Sequence, residues 1–145
     1  MKKYGLIGFP LTHSFSKRFF TEKFEKENSD ASYENFEIED ISWFPEVVHN
    51  NPELIGLNVT IPHKQAVIPF LNELDEAAEK VGAVNTVKIS RKGEHIHLKG
   101  FNTDTWGFET TLKPLLKNHH TKALILETGV ASKATKFVLN KLGID

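Results

Sequence analysis

The feature that most constrains the fold is an apolar run that ends at a proline. Residues 54–61 are rich in Leu, Ile and Val, a pattern that predicts a buried strand. Pro62 stops the run, because proline lacks the N–H that a sheet ladder needs but suits the first turn of a helix. The sequence therefore predicts a strand followed by a helix that buries Ala66, Val67 and Leu71. Open α/β sheets bind their ligands at such strand-to-helix junctions.

Lys64 falls in the first turn of this predicted helix. The positive end of the helix dipole, together with partial burial, disfavours the charged ammonium form and would let this lysine transfer a proton. The other interpretation is a solvated lysine in a first helical turn. The stretch taken alone favours the solvated lysine.

Composition limits the classes of partner. The chain has 145 residues, 39% hydrophobic and 26% charged, which suits one domain, or one and a fraction, with a buried core and a soluble surface. No apolar run is long enough to span a membrane, and the net charge of −1 comes from interleaved signs without a basic stripe for nucleic acid. The lack of cysteine excludes disulfides and thiolate metal sites and fits a cytoplasmic protein. We therefore expect a small molecule as the partner.

A loop with several hydroxyl groups follows the first predicted strand, which spans residues 4–9. Ser14 and Ser16 lie in this loop, directly before a predicted helix, and Ser16 is a suitable N-cap. Closely spaced hydroxyls at a helix N-terminus either cap the helix only or bind a carboxylate. The loop alone favours capping. The helix is expected to turn an aromatic face inward, made of Phe19, Phe20 and Phe24.

The middle of the chain alternates strands with short helices. A second strand is predicted over 32–39, a helix over 41–49 and the start of another helix over 72–78. A strand over 81–89 and the segment 94–98 form a predicted hairpin. The helix over 41–49 is expected to bury Trp43, Phe44 and Val47.

Several polar positions in this region have open interpretations. Asn85 lies in an otherwise apolar strand and either satisfies a core hydrogen bond or points into a site. Asp104 falls in the first turn of a predicted helix, where it either complements the helix dipole or serves a site. His95 and His97 share a strand face, and a solvated face is favoured over a metal site, so we predict no metal.

The last part of the chain has the shape of the first strand–turn–helix unit of a dinucleotide-binding fold. A short buried strand is predicted over 123–126, a turn over 127–132 and a helix over 133–142.

Four motifs, in this order along the chain, together resemble the shikimate dehydrogenase family. They are Gly8-Phe9-Pro10 with His13-Ser14-Phe15-Ser16, Asn58-Val59-Thr60-Ile61-Pro62-His63-Lys64, Gly82-Ala83-Val84-Asn85-Thr86, and Asn102-Thr103-Asp104 with Gly107. The resemblance covers the whole chain and implies the front part of a family member. It implies an NADP-dependent enzyme that interconverts 3-dehydroshikimate and shikimate on the route to chorismate and the aromatic amino acids.

The resemblance also implies roles for individual residues. Those that would hold the substrate carboxylate are Ser14 and Ser16. Those that would surround the ring hydroxyls are Thr60, Asn85, Lys64 and Asp104, with Lys64 and Asp104 as the catalytic pair. Those that would contact NADP are Glu76, Gly129, Ala131 and Ser132.

The expected architecture has three parts. Residues 1–101 would form a three-layer α/β/α substrate domain with a mostly parallel sheet and one antiparallel strand. Residues 102–120 would form a bridging helix and linker, and residues 121–145 the first βα unit of a Rossmann-like NADP domain. The strand of that last unit would leave an open edge on which a second copy of the chain can pair, so a homodimer is our hypothesis.

Two positions depart from the family's phosphate-binding turn, whose form is Gly-Thr-Gly-Gly-Ala-Ser. This chain has Glu127 in place of the first glycine and Val130 in place of a later one. Both changes are expected to oppose cofactor binding, and with the sequence ending at Asp145 we expect an inactive fragment. The alternatives are a non-catalytic module that binds a hydroxylated carboxylic acid, and a quinate/shikimate dehydrogenase that uses NAD.

Overall fold

The computed structural model describes residues 1–12 and 14–145, and His13 of the first-loop motif lies outside the described residues. The strands are β1 (Lys2–Gly8), β2 (Ala31–Glu37), β3 (Leu54–Val59), β4 (Glu73–Leu74), β5 (Thr86–Lys92) and β6 (His95–Phe101). The α-helices are α1 (Ser16–Lys26), α2 (Phe44–Asn50), α3 (Glu76–Val81), α4 (Thr103–Leu112) and α5 (Val130–Lys141). Short 3₁₀ turns span Ile41–Trp43, Ile68–Phe70 and Lys113–Leu115.

The six strands form one sheet in the order β2-β1-β3-β5-β6-β4. β5 runs antiparallel to both of its neighbours, and the other pairings are parallel. β5 and β6 form the predicted hairpin, and its turn contains Gly93 at φ 61°, a left-handed conformation that glycine adopts without strain. The expected α/β fold, with a mostly parallel sheet and one antiparallel strand, is confirmed.

Helices cover the sheet on both faces. One face carries the main core, around Phe44 of α2 and Ile7 of β1, both with no exposed surface. On the other face α1 covers β1 and β2, and there the ring of Phe20 stacks on Tyr33 with centroids 4.7 Å apart. The sheet is thus the middle layer of the expected three-layer sandwich.

Two backbones come close together where β1 and β3 end. Gly8 is the last residue of β1, and a Cβ added to it would overlap the side chain of Thr60. Thr60 follows β3, and its N–H donates to the carbonyl of Ile7 at 2.9 Å. The missing side chain at residue 8 therefore allows Thr60 to sit directly beside the end of the first strand.

The helix predicted after Pro62 does not form. Residues 60–67 make a series of turns instead, followed by the 3₁₀ turn Ile68–Phe70. The physical reason is Pro69, because its missing N–H and its ring interrupt an α-helix at that point. Lys64 therefore lies on a turn, and the helix-dipole argument made for it from the sequence is wrong.

Several side chains that the sequence predicts to face inward are exposed. They are Phe19, Trp43, Ile61 and Ala66. Trp43 belongs to a 3₁₀ turn, which has three residues per turn, so the 3.6-residue period used to predict its direction does not hold there. Ile61 lies beyond the end of β3, where the sheet no longer fixes the direction of its side chain. Phe44 and Val67 are fully buried, as predicted.

The strand predicted over 123–126 is not formed, and Leu124 and Leu126 are exposed rather than buried. A strand persists only where its N–H and C=O groups find partners on a neighbouring chain segment. Here Ala123 N–H donates to Asp145 O at 2.7 Å, and Asp145 N–H donates back to the carbonyl of residue 121 at 3.1 Å. This pairing spans too few residues to form a sheet.

Two helices, α5 and α3, start at places that the sequence did not predict. α5 begins at Val130 rather than at residue 133, and it packs against α3 through Ala134 and Val81. α3 begins at Glu76, later than predicted, because residues 73 and 74 form β4. Among the described residues, no helix is both long and apolar enough to cross a membrane.

Candidate active site

Lys64 and Asp104 form an ion pair at the end of the sheet that holds the first loop. Lys64 Nζ lies 2.8 Å from Asp104 Oδ2. The lysine side chain is 23% exposed and the aspartate side chain 45%, so the pair can be reached from solvent. Residues that are forty positions apart in sequence thus meet as the resemblance implies.

Backbone and side-chain hydrogen bonds hold Lys64 without a helix. Its carbonyl accepts a hydrogen bond from Val84 N–H at 2.7 Å, which joins the turn to the segment before β5. The neighbouring His63 is 3% exposed, and its Nε2 lies 2.7 Å from the carbonyl of Ile38. A carbonyl only accepts hydrogen bonds, so this nitrogen carries the proton and donates it.

Asp104 lies in the first turn of α4, as predicted. Asn102 caps this helix, because its side-chain oxygen accepts a hydrogen bond from Thr105 N–H at 3.3 Å. Asn102 is itself buried, and its amide donates to Ala83 O at 3.0 Å. The start of α4 is therefore fixed to the segment before β5, and the position of Asp104 with it.

Asn85 joins the two halves of the site. Its Nδ2 donates to Asp104 Oδ1 at 2.8 Å and lies 2.9 Å from Thr103 Oγ1. Its Oδ1 accepts from Thr103 N–H at 2.9 Å. Asn85 is 9% exposed, so both interpretations left open by the sequence hold: the amide satisfies buried partners and also borders the site. One oxygen of Asp104 thus meets an amide and the other meets the lysine.

The first loop lines a groove of about 490 Å³ with hydroxyl groups from Ser14, Ser16 and Thr60. Ser14 Oγ is buried and has no hydrogen-bond partner among the residues that the structure describes. A buried hydroxyl without a partner is costly in free energy, so this group favours a ligand with a polar atom. Phe9 and Phe15 form apolar parts of the groove wall.

Ser16 is not the N-cap of α1. Phe15 takes that position, and Ser16 is the first residue of the helix. The helix has no side-chain cap hydrogen bond, and the Ser16 hydroxyl faces the phenol of Tyr33. Burial raises the pKa of Tyr33 to about 12, and the Ser16 hydrogen bond partly opposes this rise.

A chain of hydrogen bonds connects Tyr33 of β2 with Asn85. Tyr33 donates to Asn58 Oδ1 at 2.8 Å, Asn58 Nδ2 donates to Thr86 Oγ1 at 3.3 Å, and Thr86 donates to Asn85 Oδ1 at 3.1 Å. Sequence reasoning had not assigned Tyr33, Asn58 or Thr86 to the site. Polar residues at the ends of otherwise apolar strands were the signal that could have found them.

The residues implied to contact NADP lie in two separate places. Gly129 is the N-cap of α5, and Ala131 and Ser132 are in its first turn. Glu76 starts α3 and pairs with Lys80 at 2.6 Å, a hydrogen bond that holds the pKa of the Glu76 carboxyl below its usual value. It borders a groove with the C-terminal residues of α5, so the structure does not bring Glu76 to the turn.

The turn before α5 carries a carboxylate beside its glycine. A Cβ added to Gly129 would lie 2.8 Å from Glu127 Oε1, so the Glu127 carboxylate fills the space beside this glycine. Ser132 Oγ donates to Gly129 O at 2.6 Å and is directed back along the helix.

The histidines of β6 show no metal centre. His97 pairs with Glu73 at 3.2 Å on the exposed edge of the sheet. Within the described residues, no three metal-ligating side chains come together.

Comparison with known proteins agrees with this geometry. The profile of the family described as "Shikimate dehydrogenase substrate binding domain" matches residues 6–87, which is more than half of the chain. A relative named shikimate dehydrogenase (NADP(+)), from Caldanaerobacter subterraneus, is 40% identical over 99% of this chain and 51% of its own length. The namesake from Dictyoglomus thermophilum is 40% identical over 98% of this chain and 50% of its own length.

Solved structures give the same result. Shikimate dehydrogenase 1 from Peptoclostridium difficile has a TM-score of 0.85 at 35% identity, over 99% of this chain and 53% of that one. Shikimate 5-dehydrogenase from Thermus thermophilus, solved with NADP(H) and shikimate, has a TM-score of 0.84 at 30% identity, over 99% and 54%. The chain spans about half the length of the relatives it matches. With its profile match and the paired Lys64 and Asp104, the chain belongs to the shikimate dehydrogenase family through that family's substrate-binding domain.

Proposed function

We propose that this chain binds shikimate and 3-dehydroshikimate and supplies the proton-transfer part of their interconversion. The observation that carries the proposal is the contact of 2.8 Å between Lys64 Nζ and Asp104 Oδ2. The groove at the first loop, whose wall includes Ser14, Ser16 and Thr60, supports it. The relatives of this chain are named NADP-dependent shikimate dehydrogenases, and in that reaction NADP supplies the hydride. The residues of this chain supply the substrate contacts and the proton.

Lys64 is the proton donor in the direction of reduction. A ketone oxygen that gains a hydride at its carbon develops alkoxide character, and a positioned acid lowers that barrier. Lys64 Nζ–H can give its proton to this oxygen and, in the reverse direction, take the proton from the hydroxyl. Asp104 accepts a hydrogen bond from Nζ, and Asn85 holds the other carboxylate oxygen at 2.8 Å. The aspartate is thus fixed from two sides and keeps the lysine in place through both steps.

Ser14 and Ser16 hold the substrate carboxylate in this proposal. The partnerless hydroxyl of Ser14 and the Tyr33-bound hydroxyl of Ser16 both border the groove that also contains Thr60. Hydroxyl donors stabilise an anion more strongly than they stabilise a neutral group. The carboxylate end and the ring end of the substrate therefore have different sets of contacts, which would fix its orientation.

The test is an NMR titration of the 145-residue chain with shikimate. We expect saturable amide shifts at Ser14, Thr60, Lys64 and Asn85, and a weaker affinity in Ser14→Ala, because the variant lacks one carboxylate donor. The methyl ester of shikimate serves as the matched ligand without a carboxylate, and it should bind weakly to both proteins. A folded chain that shows no saturable shift with shikimate would refute the proposal.

Turnover with NADP distinguishes an enzyme from a binding module. If the chain turns over, Lys64→Ala should lower kcat by about 10²–10⁴-fold with little change in KM, since general acids contribute that much. Lys23→Ala, a change at an exposed lysine of α1, is the control and should leave kcat unaltered.

The second candidate function is a non-catalytic module for a hydroxylated carboxylic acid. It is supported by the Glu127 carboxylate beside Gly129 and by the unformed strand at 123–126. Shikimate binding without any turnover would favour it. Quinate with NAD, tested in the same assays, addresses the alternative of a quinate/shikimate dehydrogenase.

We also propose a cytoplasmic location and a homodimer. The exposed Leu124 and Leu126 support an assembly in which a second copy covers this segment. Sedimentation at several concentrations is the measurement, and a monomer at all of them would refute the dimer.

A further inference from the structure

Glu37, the last residue of β2, holds the first loop from outside the groove. Glu37 Oε2 accepts a hydrogen bond from Leu11 N–H at 2.7 Å. The glutamate belongs to none of the four motifs and is not part of the groove wall. Among the residues that the structure describes, this is the only hydrogen bond that joins residues 10–12 and 14 to a strand. Glu37 thus ties the loop to the sheet without lining the groove.

Leu11 transmits this restraint to Ser14. The Leu11 side chain is 5% exposed and packs with Leu6 and Tyr33 on the sheet. The Leu11 carbonyl accepts a hydrogen bond from Ser14 N–H at 3.0 Å. Leu11 is therefore fixed through its side chain and its backbone, and Ser14 is fixed through Leu11. The buried Ser14 hydroxyl, which has no partner within the described part of the chain, owes its place to a series of contacts that ends at Glu37.

The strand end that holds Glu37 also holds the turn of Lys64. Ile38 N–H donates to Gly8 O at 3.2 Å, which extends the pairing of β1 and β2 by one residue. Ile38 O accepts a hydrogen bond from His63 Nε2 at 2.7 Å, and His63 directly precedes Lys64. The first loop and the Lys64 turn therefore share one support at the end of β2.

We propose that Glu37 is a positioning residue for the carboxylate end of the substrate, and that it acts by holding the Ser14 hydroxyl at the groove. The inference rests on the proposed function, since it concerns the same loop and the same ligand. A carboxylate accepts a hydrogen bond from an N–H more strongly than a neutral acceptor does, so it restrains the loop well. Glu37 is exposed, and solvent and salt therefore screen its repulsion of an anionic ligand. Glu37 thus acts through geometry rather than through its charge.

The test measures the affinity of shikimate and of its methyl ester for the 145-residue chain by NMR titration. In Glu37→Ala the affinity for shikimate should fall by about tenfold, because Ser14 no longer has a fixed place. The affinity for the ester, which has no carboxylate for Ser14 to hold, should stay within about twofold of the wild-type value. Glu37→Gln keeps an acceptor oxygen without the charge and should recover most of the loss.

Two further variants separate positioning from a general loosening of the structure. The double variant Ser14→Ala, Glu37→Ala should bind shikimate as Ser14→Ala alone does, because both changes remove the same contact. Glu39→Ala removes another exposed carboxylate nearby and should leave both affinities unchanged. The proposal is overturned if Glu37→Ala binds shikimate as tightly as wild type or weakens both ligands equally. It is also overturned if Glu37→Gln restores nothing, or if the two losses add in the double variant.

Amide hydrogen exchange of the ligand-free chain keeps this test separate from that of the proposed function. Glu37→Ala should speed exchange at Leu11 and Ser14 and leave the sheet protected. Unchanged exchange at Leu11 in this variant would refute the anchoring of the loop by Glu37. A wild type that binds no shikimate would refute the proposed function, so the two failures are distinguishable.

Discussion

The groove at the first loop and the turn before α5 are fixed by different kinds of contact. At the groove, side-chain hydrogen bonds connect β2, β3, β5 and α4 in one chain from Tyr33 to Asp104. At the turn, α5 is held by apolar packing against α3, and its far end by the ion pair of 2.7 Å between Lys141 and Glu109 of α4, while Gly129 makes no side-chain cap. A site whose side chains are joined by many directional hydrogen bonds keeps its geometry without contacts from other parts of the molecule. A site bound by the packing of one helix depends on what surrounds it.

The first way to test this contrast is to weaken the main core of the sheet. Phe44→Ala removes a fully buried ring from the main core, and we expect a loss of about 3–5 kcal/mol in the free energy of unfolding. The neighbouring Trp43→Ala is the control, because Trp43 is 55% exposed and should cost far less. Urea unfolding measures both. Similar losses in the two variants would contradict the main core described here.

A pH profile should show the buried end of the hydrogen-bond chain. Tyr33 has a folded pKa of about 12, against an ordinary value of 10.0. The stabilisation that comes from keeping Tyr33 protonated is fully present below the pKa of tyrosine in the unfolded chain. It is lost as the pH rises from about 10 towards about 12, because the folded state holds the proton more tightly. Two pKa units correspond to about 2–3 kcal/mol. Tyr33→Phe should lack this loss, and profiles of wild type and variant that stay parallel through this range would contradict it.

Asn85→Ala should damage the site more than the fold. It leaves Thr103 and Asp104 without their amide partner, at a cost of about 1–3 kcal/mol in the free energy of unfolding. Shikimate affinity should fall by about tenfold or more, since Asp104 loses one of its two fixed contacts. Isothermal titration and urea unfolding measure the two effects. A variant with unchanged affinity would show that Asn85 is only structural.

The smallest effect is expected at α5. Phe137 is partly buried against Val81 and Ala83, and Phe137→Ala should cost about 1–2 kcal/mol. If α5 is held only by packing, this variant should speed amide hydrogen exchange in residues 130–141 and leave the sheet protected. Faster exchange throughout the sheet would show instead that α5 and the sheet unfold together.

Sequence reasoning predicted the sheet well because its strands are apolar runs bounded by turn residues. Leu54 to Val59 and the hairpin around Gly93 are of this kind. The motifs predicted that Lys64 and Asp104 form a pair. The helix predicted around Lys64 is wrong, because Pro69 interrupts an α-helix there. A single sequence also does not show that Ala123 pairs with Asp145 rather than with a neighbouring strand.

The hydroxyl of Ser16 shows a second limit of prediction from the sequence. The residue type of Ser16 and its place before a helix predicted an N-cap. Its hydroxyl instead faces Tyr33 of β2. A contact between residues so far apart in sequence depends on how α1 packs over β2. Local patterns carry no information about that packing, which is why the same patterns left Tyr33 and Thr86 out of the site.

The antiparallel direction of β5 has a consequence for where the chain tolerates inserted residues. Asn85 precedes β5 and Asn102 follows β6, so both flank the hairpin at the same end, and Gly93 lies at the opposite end. Seven residues of strand place that turn about 23 Å away. A peptide tag or a reporter domain inserted after Gly93 should therefore leave ligand recognition intact. One residue inserted between Asn85 and Thr86 would shift Asn85 relative to β5 and remove it from Asp104.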